Sequence, residues 1–180
     1  MTQVSHGPDL PQVIRVTLSA VLLTAAATDL RWRRIPNWLT LPALPVGLTA
    51  QAMFGEGFWQ GLLGALAGFA ALFLVFAAGG GGAGDVKLFA VVGAFVGVRN
   101  LLPVFVLVAV AGGLAAVLVS LRAGAFGRVL RNTGGILSAL AQGRWAELKH
   151  RSDLDQPGGL RLAYGAVIAA GTLIFLWYPR

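Results

Sequence analysis

Residues 58–100 read FWQGLLGALAGFAALFLVFAAGGGGAGDVKLFAVVGAFVGVRN, and this stretch decides the fold. It opens on an apolar run from Phe58 to Ala78, about the length a helix needs to span a bilayer, roughly 20 residues. A glycine run follows, Gly79 to Gly84 with Ala83 inside it, and closes on Asp85. A second apolar run then begins at once. An ionisable group at membrane depth is costly, so an acid at this junction marks function by default. From Val86 to Asn100 a helix rising about 1.5 Å per residue covers about 22 Å, against a hydrocarbon core of about 30 Å. Asp85 is therefore expected below the membrane surface, in a wet pocket, because non-helical backbone at that depth is tolerated only inside protein or beside water.

The rest of the chain repeats this composition. Charged residues make up 12% of the 180 residues, against about 25% in soluble domains. Six apolar segments are read at about 11–30, 38–54, 58–78, 85–99, 101–121 and 160–178. The fold class is all-α: a polytopic membrane protein of about six transmembrane helices, with residues 1–180 forming one integral-membrane domain. Arg31 to Pro36, Gly55 to Gly57, the glycine run and Arg99-Asn100 connect the segments. One long polar stretch, about 122–159, forms a cytoplasmic or interfacial loop. Within it Phe126, Val129, Leu130, Thr133, Ile136, Leu137 and Leu140 recur at helical spacing, as in a helix lying among headgroups. Gly134-Gly135 weakens that pattern, and a solvated basic linker is the equal alternative.

Orientation follows from charge. Arg31, Arg33, Arg34, Lys87, Arg122, Arg128, Arg131, Arg144, Lys149, Arg151 and Arg161 fall on one set of alternate connections; only Arg15, Arg99 and Arg180 fall on the other. The positive-inside bias then places the N-terminus outside and the richer set in the cytoplasm. An even number of spans returns the C-terminus to the outside. The stretch Ala25-Ala26-Ala27 resembles a signal-peptide cleavage site, but no basic cluster precedes the run and three arginines follow it. The net charge of +7 is explained by the same bias, and no aromatic-basic module for nucleic acid is present.

A second acid shares the cytoplasmic edge: Asp29, in Asp29-Leu30-Arg31-Trp32-Arg33-Arg34-Ile35-Pro36-Asn37. Two acids at one face suggest acid/base chemistry performed as a pair. No cysteine occurs and the two histidines, His6 and His150, lie far apart, so no metal cluster and no cofactor is expected. The glycine run is not a phosphate cradle: a P-loop needs Lys directly after its last Gly, and Asp85 stands there. Gly64-x-x-x-Gly68 and Gly93-x-x-x-Gly97 read as close helix-packing pairs.

Three segments together resemble the type IV prepilin peptidases, a family of Gly-x-Gly-Asp intramembrane aspartyl proteases. Asp29-x-Arg31-x-x-x-Ile35-Pro36-Asn37 is similar to the first catalytic motif, and Gly82-Ala83-Gly84-Asp85-Val86-Lys87-Leu88 to the second. Ala163-Tyr164-Gly165-Ala166-Val167-Ile168-Ala169-Ala170-Gly171 resembles the last-helix segment, although Ala163 stands where the family often has Pro. The resemblance implies Asp29 and Asp85 as catalytic acids. Gly82, Gly84, Lys87, Arg31, Ile35, Pro36, Asn37, Tyr164 and Gly165 support them. It implies cleavage of the short basic leader of a pilin or pseudopilin precursor at the cytoplasmic face of a bacterial inner membrane. Membrane lipid surrounds such a protein, and pilus or secretion assembly machinery is a further partner. Longer bifunctional members carry a cysteine-bearing region between the first two spans and also methylate the new N-terminus. Here that connection is short and free of cysteine, as in the short form paired with tight-adherence (Flp-type) pili, and methylation is not expected.

The residues suggest finer roles. Asp29 closes the first helix, at its negative end, and Asp85 opens the fourth, at its positive end. Asp85 is then expected as the base and Asp29 as the acid, sharing one proton. Arg31, Arg33 and Arg34 anchor the cytoplasmic edge or shape the mouth of the site. Pro36 and Asn37 start the second span, Asn37 as a helix cap. Lys87 snorkels or tunes Asp85, and Tyr164 and Gly165 either line a groove or pack. Presenilin-like proteases pair Tyr-Asp with Gly-x-Gly-Asp and end on Pro-Ala-Leu, whereas this chain has Thr28-Asp29 and no Pro-Ala-Leu in its last segment. A small proton- or cation-coupled transporter subunit using the same two acids is the rival from another class, and a non-catalytic scaffold the third.

Overall fold

A computed structural model describes residues 10–77, 82–122 and 163–178. Among them the chain is helical: α1 (Gln12–Trp32), α2 (Asn37–Phe54), α3 (Phe58–Ala77), α4 (Ala83–Arg122) and α5 (Tyr164–Trp177). Three of these, α1, α3 and α4, are long and apolar enough to cross a membrane, and α5 is apolar but shorter. The interfacial loop at 122–159 lies almost wholly outside the described residues, as does the helix read within it.

α4 is a hairpin rather than a rod. Gly97 has φ 75° and ψ 164° inside it, a backbone conformation open to glycine and closed to most other residues. A straight helix would put residues 89 and 105 about 24 Å apart, yet the rings of Phe89 and Phe105 meet edge-on at 6.0 Å. The chain therefore doubles back at Gly97 into a first limb (83–96) and a second limb (98–122). This corrects the connection read at Arg99-Asn100, which lies inside the second limb. Charge and polarity marked those residues, but the turn needs positive φ, and only Gly97 supplies it. Asn100 instead donates its side-chain N–H to the carbonyl of Val96 at 3.0 Å, satisfying a terminal carbonyl of the first limb.

The first limb is the central column. Val86 and every residue from Leu88 to Gly97 are buried, as expected of a helix that is apolar all round. α3 lies against it through a stripe of glycines. A methyl group added at Gly61 would lie 2.9 Å from the Ala94 carbonyl oxygen, and one at Gly68 would lie 2.7 Å from that of Phe89. At Gly64 and Gly93 the two backbones touch each other directly. Apolar solvent drives no helix association, so such close backbone packing holds membrane helices together. The packing reading of Gly64 and Gly93 therefore holds. α2 presses Gly47 against Phe95 of the same column, where an added methyl would stand 2.7 Å from the ring.

α5 runs back along the second limb. Tyr164 faces Gly112 near one end and Gly171 meets Val108 further along. At the far end Trp177 donates its ring N–H to the Ser19 hydroxyl of α1 at 3.0 Å. Outward faces of α1 to α4 carry Leu23, Leu41, Leu63, Leu74 and Leu114, all exposed. That is the reverse of a soluble protein and the arrangement lipid requires. The bundle thus has two ends. One gathers residues 28–37, 82–87 and 163–166; the other holds Gln51, Glu56 and Arg99.

Candidate functional site

Asp29 is buried, with 6% of its surface exposed, in the last turn of α1. Its Oδ2 accepts the backbone N–H of Gly165 at 2.8 Å and that of Ala166 at 3.3 Å. These are the second and third residues of α5, whose own cap residue, Ala163, offers no side-chain bond. A helix leaves its first N–H groups without partners, and a side-chain oxygen of the cap residue normally takes one of them. Asp29 does so from another helix, 136 residues away. The carboxylate therefore closes the junction between α1 and α5 as well as sitting in the site.

Asp85 is supported locally. Gly82 precedes α4, and Asp85 is the third residue of that helix. The Gly82 N–H donates to Asp85 Oδ2 at 2.9 Å, while the Asp85 N–H returns to the Gly82 carbonyl at 3.0 Å. The first bond is the reverse half of a capping box, the side chain of the third helical residue taking the N–H of the cap, and the second is a backbone turn. Asp85 is half-buried and lies within range of the charge of Asp29. The two acids share one end of the bundle. Both stand at the N-terminal end of a helix, Asp29 at that of α5 and Asp85 at that of α4. Helix ends alone therefore do not divide the pair into acid and base: a long-range contact supplies Asp29 with the positive helix end that its own helix denies it.

Ile35 joins the two halves. A methyl added at Gly165 would lie 2.7 Å from Ile35 Cδ1 and 2.9 Å from Asp29 Oδ2; one at Gly84 would lie 3.1 Å from Ile35 Cβ. Ile35 and the Asp29 carboxylate leave no room for a side chain at Gly165, and Ile35 leaves little at Gly84. Tyr164 is half-buried. Its hydroxyl sits over Gly112, 3.2 Å from where a Cβ would be, and the ring lies within range of the charge of Asp85. Ala163 has φ −74°, inside the range proline adopts, so replacing proline there leaves the local path unchanged.

Other sequence-read residues fall around this centre. Arg31 is exposed and lies over the Trp32 ring, 5.6 Å from its centroid. Arg33 closes α1 in a left-handed conformation, its N–H donating to the Asp29 carbonyl at 2.8 Å. Arg31 and Trp32 belong to α1, two residues beyond the sequence-based boundary. Pro36, not Asn37, caps α2, and without a side-chain bond. Asn37 Oδ1 instead accepts the Lys87 ammonium at 2.9 Å. This corrects the cap read for Asn37 and gives Lys87 a partner that neither reading named: the pair ties the start of α2 to the start of α4. Gly112 was not singled out by sequence. Its only signal is a Gly112-Gly113 pair inside an apolar run, which ordinary packing also explains.

Among the described residues, no group of three or more His, Cys, Asp and Glu is placed to hold a metal ion. The site is a pair of carboxylates at the end of an apolar helical bundle, a constellation suited to acid/base chemistry beside a membrane. The sequence profile of the type IV leader peptidase family matches residues 16–117, and the chain belongs to that family. Asp29 and Asp85 fall inside the matched stretch, Tyr164 and Gly165 beyond it. The chain is 40% identical over 121 residues to a prepilin leader peptidase/N-methyltransferase of Bacillus subtilis (strain 168), covering 64% of this chain and 49% of the relative. Proteins of the same name from Escherichia coli (strain K12) and Xanthomonas campestris pv. campestris are 36% identical over 107 residues and 32% over 108. Those alignments cover 55% and 54% of this chain, and 47% and 37% of the relatives. The chain thus spans about half the length of the curated relatives it matches, or less. No solved structure matches it.

Proposed function

We propose that this protein is an intramembrane aspartyl endopeptidase that removes the short basic leader of pilin-like precursors. The observation that carries this reading is that Asp29, held at Gly165, and Asp85, next to Gly84, flank the same Ile35 side chain at one end of the bundle, supported by membership of the leader peptidase family. In the reaction, one ionised carboxylate takes a proton from a water molecule, whose oxygen attacks the scissile carbonyl. The other, protonated, donates to that carbonyl oxygen and so stabilises the developing charge. Collapse of the tetrahedral intermediate releases the leader, with the departing amine taking a proton from the pair. The mechanism requires the two carboxyl groups to hold one proton between them.

The reading includes six spans, with α4 counted as two, both termini outside and the acids at the cytoplasmic face of the inner membrane, following the charge bias. Lipid covers the exposed leucines, and the Flp-type pilus apparatus is the proposed destination of the processed subunit. The methyltransferase half of the relatives' name is not carried over, because the α1–α2 connection is only a few residues long and has no cysteine.

The test is a co-expression assay with a precursor bearing a basic leader ahead of an apolar helix. With normal membrane insertion confirmed, Asp29→Asn and Asp85→Asn are each expected to abolish leader removal. Full cleavage by either variant contradicts the reading, and a proton- or cation-coupled transporter would leave cleavage untouched in both.

A further inference from the structure

We propose that Ile35 is a positioning residue whose side chain, lodged between Gly84 and Gly165, sets the separation of the segments that carry Asp29 and Asp85. The inference deepens the aspartyl-protease reading and rests on it. Its basis is geometric. Ile35 Cβ faces Gly84, one residue before Asp85, at 3.1 Å from a would-be Cβ. Ile35 Cδ1 faces Gly165, whose N–H holds Asp29, at 2.7 Å from a would-be Cβ. One side chain therefore touches both supports, and each support is a glycine, so the isoleucine bears on backbone with no flexible side chain between. Backbone cannot yield as a side-chain tip does.

The sequence makes this wedge stiff. Ile35 precedes Pro36, and a residue before proline is held to extended backbone. Its β-branched side chain is also restricted at χ1. On the far side of Pro36, the Lys87–Asn37 bond ties the same connection to α4. A long flexible side chain would fill the same volume without fixing a distance.

A plain packing role and a positioning role differ in what they move. Loss of packing lowers the amount of active protein and leaves the pH profile of the remainder unchanged. A changed separation alters how strongly the two carboxyl groups interact, and so shifts the limbs of the pH–rate curve. The experiment measures kcat, KM and the kcat–pH profile in proteoliposomes, with a purified precursor as substrate, for Ile35→Ala, Ile35→Val, Asp29→Asn and Asp85→Asn. With Ile35→Ala, kcat is expected to fall about a hundredfold with KM within about threefold, since a displacement of about 1 Å costs that much. The gap closes, the acids approach, and the bell broadens by about half a pH unit or more.

Ile35→Val removes only Cδ1 and keeps the β-branch, so it gives the same changes at smaller amplitude, with kcat down several-fold. It also decides the matter if Ile35→Ala does not insert. Unmoved pH limbs in Ile35→Val, whether kcat falls or not, overturn the proposal. If the Asp→Asn variants still cleave, the protease reading itself fails; if they are inactive while Ile35 variants keep the wild-type profile, only the wedge fails.

Discussion

Asp29 and Asp85 are the same residue held in opposite ways. Asp85 is fixed by its own helix: Gly82, three residues back, supplies the N–H it accepts. Asp29 is fixed by a distant one, through Gly165 and Ala166 of α5. One acid is a local cap, half-exposed; the other is a buried tertiary joint. The difference teaches that the two halves of the site are not equally robust. Disturbing α5 should act first on Asp29, whereas disturbing the turn at Gly82 should act first on Asp85.

After loss of the acids themselves, the largest effect on cleavage is expected at Gly165. A methyl there meets both Ile35 Cδ1 and the Asp29 carboxylate, so Gly165→Ala should lower leader cleavage about a hundredfold, as misplacement of a reacting group does. It should also cost about 1–3 kcal/mol by overpacking, read from thermal unfolding in detergent. Next comes Asp29→Ala, which strips two N–H groups of α5 of their shared acceptor. A stability loss of about 2–3 kcal/mol is expected, with faster hydrogen exchange at Gly165 and Ala166. Asp85→Ala removes a local cap and should cost only about 1 kcal/mol. Equal losses from the two aspartates would erase the contrast drawn above. The smallest effect belongs to Asn37→Ala, which frees the exposed Lys87 ammonium. Its stability cost should stay below about 0.5 kcal/mol, and a large loss would make the α2–α4 tie a structural joint.

Apolar length and charge made the helical frame legible. All six apolar segments of the sequence correspond to helical stretches in the structure, with the two limbs of α4 counted separately, and three of the helices are long and apolar enough to cross a membrane. Polarity points to a turn at Arg99 and Asn100, whereas the turn falls at Gly97 because it requires only a backbone that tolerates positive φ. Asp85 was legible together with Gly82, since Gly82-Ala83-Gly84-Asp85 is one contiguous motif, and the structure adds the hydrogen bond between the two. Asp29 was legible as an acid, but its support was not. The donors are backbone N–H groups, present at every non-proline residue and therefore unmarked in sequence. Asn37 shows the same limit from the other side: its local propensity points to a cap, and a partner fifty residues away claims it.

The most direct test of the shared site uses the absence of cysteine from the chain. In membranes, Asp29→Cys combined with Asp85→Cys is expected to be bridged efficiently by a short bifunctional thiol reagent. Asp29→Cys combined with Arg99→Cys, at opposite ends of the bundle, is expected not to be. Absence of bridging in the first pair, with each single cysteine shown to react with a monofunctional reagent, would contradict the pairing of the two acids.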